Sequence, residues 1–169
     1  FKEFFMTKKK QKVSILERRK MQAEVIKPIY KEMVSSIGEA KAKEILKNSI
    51  IKSAVNEGKS LRKLSDKKND SLSVIDQFID VFENWKTGGA LEIRELKRTS
   101  EQYHFDVTRC KYAEMYKDMG MEDIGQLLSC NRDYNFTIGF DKKLELVREK
   151  TIMEGHSCCT FRYSNKQNI

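Results

Sequence analysis

The sequence predicts an α+β protein: N-terminal helices packed with a C-terminal β-β-α-α-β-β unit whose strands form an antiparallel sheet. Three observations predict it. Apolar residues recur at spacings of three and four through the first half, then at two beyond Thr87-Gly88-Gly89. Breaks between the segments carry Gly or polar clusters. Apolar content of 39% beside charged content of 34% describes a folded chain with a charged surface, not a disordered one.

Residues 1–12 read as loosely ordered, with Phe1, Phe4 and Phe5 free to dock on a neighbour. From Ser14 a helical period appears in Ile15, Met21, Val25 and Ile26. Pro28 suits the first turn of a new helix, which Ile29, Tyr30, Met33, Val34 and Ile37 continue to a stop at Gly38. Residues 39–57 form another amphipathic helix, with Ala42, Ile45, Leu46, Ile50 and Ala54 on one side and Gly58 as its end. The polar run 59–70 reads as a connection. Residues 71–85 give the strongest helix, its stripe of Leu72, Ile75, Phe78, Ile79 and Phe82 closed by Trp85. Leu91 and Ile93, then Tyr103, Phe105 and Val107, alternate with polar residues across a turn at 98–101, which is a β-hairpin with one buried face. Helices follow at 109–119 and 122–130. Residues 144–148 and 158–163 supply the third and fourth strands. The chain thus divides into a basic helical region (1–70), an α+β core (71–163) and a tail (164–169).

Residues 1–70 hold 19 Lys and Arg against 9 Asp and Glu, whereas residues 71–169 hold 14 against 16. The basicity belongs to the N-terminal helices, where it is mixed with acids and not interleaved with aromatics, which argues against a nucleic-acid partner. No run of about 18 apolar residues exists to span a membrane. The expectation is a cytoplasmic protein acting on a small molecule, with self-association through the N-terminal helices and no cofactor. All four cysteines fall between 110 and 159, and none is spaced as CxxC, which argues against a structural zinc site.

The reactive side chains gather in the last third. Arg109 and Cys110 follow the second strand and open a helix, whose N-terminus lowers a thiol pKa and attracts anions; Cys110 reads either as an activated thiol or as a packed one. Asp133, after a helix end, reads as a general base or as a turn cap. His156, Cys158 and Cys159 lie on the loop before the last strand, where Cys158 and Cys159 must face opposite ways. Convergence of Cys110, Cys130, His156 and one of the adjacent thiols would make a zinc ligand set, but the spacing does not require it.

Three of these motifs, VTRCKYAEMYKDMG, LLSCNRDYNF and TIMEGHSCCTFRY, resemble the L-2-amino-thiazoline-4-carboxylic acid hydrolase family over about residues 72–163. The resemblance implies a hydrolase that opens a thiazoline ring to give N-carbamoyl-L-cysteine. One position departs: the family often carries His before the cysteine matching Cys159, where this chain has Cys158, and His156 stands two residues earlier. The strand and helix order is also similar to the ligand-binding domains named after vinyl reductase, which need not be enzymes. Ring opening needs water activated by a carboxylate, Asp133, or attack by Cys110 or Cys159. His156 would protonate the leaving group. Arg109 or Arg148 would hold the substrate carboxylate, with Tyr112 beside it. A non-catalytic sensor or binding domain is the alternative.

Overall fold

A computed structural model describes residues 13–69 and 71–166. The docking expected of Phe1, Phe4 and Phe5 lies outside the described residues. Helix α1 (Ile15–Ile37) begins at Ser14, whose hydroxyl accepts from the Glu17 N–H while the Glu17 carboxylate accepts from the Ser14 N–H. It runs through Pro28 and does not restart there. Pro28 is exposed, so water can solvate the carbonyl one turn back that the missing N–H leaves free.

Helix α2 (Glu39–Asn69) likewise passes through Gly58, and the polar run beyond it is the end of the same helix. Gly58 is a contact point. A Cβ there would lie 2.7 Å from the Phe140 amide nitrogen of helix α6 (Cys130–Phe140), and a Cβ on Gly139 would overlap the Val55 carbonyl. Glycine on both helices lets the two backbones touch. Helix α3 (Val74–Lys86), capped by Ser73, lays Ile75, Phe78, Ile79 and Phe82 on the sheet.

The strands β1 (Leu91–Arg98), β2 (Gln102–Cys110), β3 (Leu144–Val147) and β4 (Cys159–Asn165) form one antiparallel sheet in the order β1-β2-β4-β3. β2 and β4 set Tyr103 against Tyr163, Phe105 against Phe161 and Val107 against Cys159, and all six are buried on the inner face. Phe105 stacks on Phe161 at 5.0 Å, and Phe78 of α3 meets Tyr163 at 4.3 Å.

Between β2 and β3 the chain makes three helices, not two: α4 (Lys111–Asp118), α5 (Glu122–Leu128) and α6. Asp133 therefore sits in the first turn of α6, not after a helix end. β3 stops at Val147, which leaves Arg148 just outside the strand. A second apolar core joins Ala23 and Tyr30 of α1, Ala42 and Leu46 of α2, and Tyr116, Ile124 and Leu128 of α4 and α5. None of the described helices is long and apolar enough to cross a membrane.

Candidate functional site

Helices α1, α2, α4 and α6 close over the inner face of the sheet around a cavity of ≈ 70 Å³. Its walls are largely aromatic, with Phe78, Phe82, Trp85, Phe136, Phe161 and Tyr163 among them. A dry apolar cavity that takes up benzene measures about 150 Å³, roughly twice this volume, so a ring-sized guest here must push the walls outward.

Two ion-pair groups are set into this apolar lining. On one side Glu57 of α2 accepts from Arg19 of α1 at 2.9 and 3.2 Å and from Arg132 of α6. On the other, Arg148 donates to Asp133, and at 2.9 Å to the Cys130 carbonyl, with its guanidinium 5.0 Å from the Tyr134 ring and 5.1 Å from the Phe161 ring. The Arg148 Nε is buried with no hydrogen-bond partner. The Asp133 side chain is 32% exposed and lines the cavity. Three arginines thus face two carboxylates, so the lining carries an excess of positive charge. A small anion, above all a carboxylate, suits it.

Of the residues singled out from sequence, Cys110, Tyr112, Asp133, Arg148 and Cys159 all line this cavity. Tyr112 is anchored by donating to the Trp85 carbonyl at 3.2 Å, and Cys159 accepts from the Ile152 N–H at 3.2 Å. Arg109 and His156 do not reach the cavity. They line an outer groove of ≈ 480 Å³, where the half-exposed Arg109 pairs with Glu114 at 2.7 Å and Glu92 at 3.4 Å, and His156 is exposed. Cys110 and Met153 border both spaces. Among the described residues no three His, Cys, Asp or Glu side chains form a metal-binding group.

Sequence reasoning missed Arg19, Glu57 and Arg132. The signal was present for two of them. Arg19 falls on the buried stripe of α1 with Ala23, Ile26 and Tyr30, and Glu57 on that of α2 with Leu46, Ala54 and Leu61. A charge on a buried stripe needs a partner.

Electrostatics favour the packed reading of Cys110 over the activated one. Burial pushes its thiol up to about 11, outweighing the Ala113 and Tyr112 amides at the start of α4 that pull it down. Burial also raises Cys130 and Cys159. It raises Asp133 above the usual carboxylate range, against the opposing pull of Arg148. Glu57 goes the other way: burial pushes it up, but Arg19 and Arg132 together outweigh that and hold it below its ordinary value.

The model of the L-2-amino-thiazoline-4-carboxylic acid hydrolase family matches residues 18–163. The chain belongs to this family. The match begins in α1, well before the C-terminal motifs, and so takes in the helices of this chain that bring Arg19 and Glu57 to the cavity. No curated protein matches it in sequence. Its fold is similar to the phenol-responsive sensory domain of the transcription activator PoxR, solved with phenol. That likeness has a TM-score of 0.53 at 14% identity and covers 92% of this chain and 78% of the other.

Proposed function

We propose that the chain hydrolyses a small cyclic amidine bearing a carboxylate, of the 2-amino-thiazoline-4-carboxylate type, inside the Asp133–Arg148 cavity. The observation that carries this reading is a partly exposed carboxylate in the lining of an aromatic, cation-rich cavity. Family membership supports the reaction class.

Two routes were open from sequence, and the thiol route is the weaker. A thiol at about 11 is ionised in only about one molecule in 10⁴ at pH 7, which leaves Cys110 a poor nucleophile. Asp133, raised by burial, is the better base. It takes a proton from water as the oxygen attacks the ring carbon between nitrogen and sulfur, and passes that proton to the ring nitrogen. The carbon–sulfur bond then breaks with its electron pair going to sulfur. The carbon becomes a carbonyl, and the proton of the new hydroxyl ends on the thiolate. One water is consumed and an N-carbamoyl thiol is released. Arg148 fixes the Asp133 carboxylate, and the excess positive charge holds the carboxylate of the substrate. Cys110 and Cys159 shape the wall, Tyr112 closes it, and the groove bearing Arg109 and His156 is the approach to it.

The test is thiol release from L-2-amino-thiazoline-4-carboxylate and related cyclic amidines. Wild type should turn over, Asp133→Asn should lose at least about 100-fold in rate, and Cys110→Ser and Cys159→Ser should keep most of it. Loss in the cysteine variants with Asp133→Asn active would overturn the assignment. The second reading, a small-molecule-binding domain without turnover, is supported by the likeness of the fold to the phenol-responsive sensory domain. Saturable binding with no product would establish it.

A further inference from the structure

Helix α1 has two apolar faces. One, through Ala23, Ile26 and Tyr30, faces the second core. The other lies about 130° round the helix and carries Met21, Val25 and Ile29, exposed by 50, 62 and 53%. At the ends of this outer stripe stand Arg18 and Glu32, both exposed. The stripe is symmetric about Val25. Met21 and Ile29 lie four residues to either side, and Arg18 and Glu32 lie seven to either side.

From this pattern we propose that a second copy of the chain covers the outer face of α1 in an antiparallel, two-fold pairing centred on Val25. A two-fold axis there sets Val25 against Val25 of the second copy and Met21 against its Ile29. It also sets Arg18 against the Glu32 of that copy, so each pairing gains two opposite-charge contacts. Parallel pairing on the same stripe would place like charges side by side at both ends, which disfavours it. Because α1 also supplies Arg19 to the cavity, the pairing holds in place a helix on which the site depends.

The experiment is sedimentation velocity on the full chain from about 1 to 100 µM, a range that resolves micromolar dissociation constants. The variants are Val25→Glu, Arg18→Glu, Glu32→Arg and the double swap Arg18→Glu/Glu32→Arg, with circular dichroism to check folding. Wild type should be a dimer. Val25→Glu sets two carboxylates together on the axis and should make it monomeric. Each single charge reversal should weaken the dimer by at least about tenfold, and the double swap should restore it to near the wild-type value. The proposal fails if wild type is monomeric at 100 µM, as when residues 1–12 cover the stripe. It fails equally if Val25→Glu leaves the dimer intact, or if the double swap is no better than the single reversals.

Discussion

Replacing Gly139 by alanine tests how the site is framed. The added Cβ would overlap the Val55 carbonyl oxygen of α2 and sit 2.8 Å from its carbonyl carbon and 2.9 Å from its Cα. These are backbone atoms of a facing helix, so no side-chain rotation relieves the clash; α2 and α6 must separate. Overpacking of this kind costs about 1–3 kcal/mol, and rigid backbone on both sides places it at the upper end. Alanine recovers about 1 kcal/mol of helix propensity over glycine. The net expectation is a loss of about 2 kcal/mol, or roughly 4–8 °C in Tm for a chain of this size. Urea unfolding followed by circular dichroism would read it, with Ser49→Ala on the exposed side of α2 as a control that should stay within about 0.5 kcal/mol. Separation would also draw Glu57, the neighbour of Gly58, away from Arg132. A Gly139→Ala protein as stable as wild type would refute the close helix contact and the framing built on it.

Glu57→Gln leaves Arg19 and Arg132 buried around a neutral partner and should cost about 3 kcal/mol by denaturant unfolding. Because Glu57 sits below its ordinary value in the fold, its contribution is present at neutral pH and lost as pH falls below about 4.5 through the lowered value; the variant should show a smaller loss of stability over that acid range. Cys110 should alkylate with iodoacetamide at pH 7.5 about 100-fold more slowly than a free thiol, and the rate should climb tenfold per pH unit towards about 11. Met153→Ala should speed maleimide labelling of Cys130 and Cys159, since Met153 stands between the groove and the cavity; an unchanged rate would place the access path elsewhere.

The fold class was legible because the sheet and α3 announce themselves by period. Phe105 and Phe161 alternate with polar neighbours, and Phe78 and Phe82 recur at four. What escaped was anything decided by contact between distant segments. Gly58 looks like a stop locally, yet it is kept small by Phe140, which is far away in sequence. Helix α6 opens on Asn131, Arg132 and Asp133 and reads as a turn, since its stability comes from Phe136 and Phe140 packing and not from a polar–apolar stripe of its own. The site was half legible. Cys110, Asp133, Arg148 and Cys159 were found by residue type and motif, while Arg19 and Glu57 were passed over with helices read as scaffold. Of the two readings open for Cys110, activation by its helix start fails on magnitude, because burial outweighs a few amides.

The pH dependence of kcat/KM for thiol release tests the central claim most directly. If Asp133 is the base, activity falls on the acid side through an apparent pKa above the usual carboxylate range, and Asp133→Asn abolishes that limb. A rate that instead keeps rising with pH towards about 11, and persists in Asp133→Asn, would identify Cys110 as the nucleophile and contradict the account.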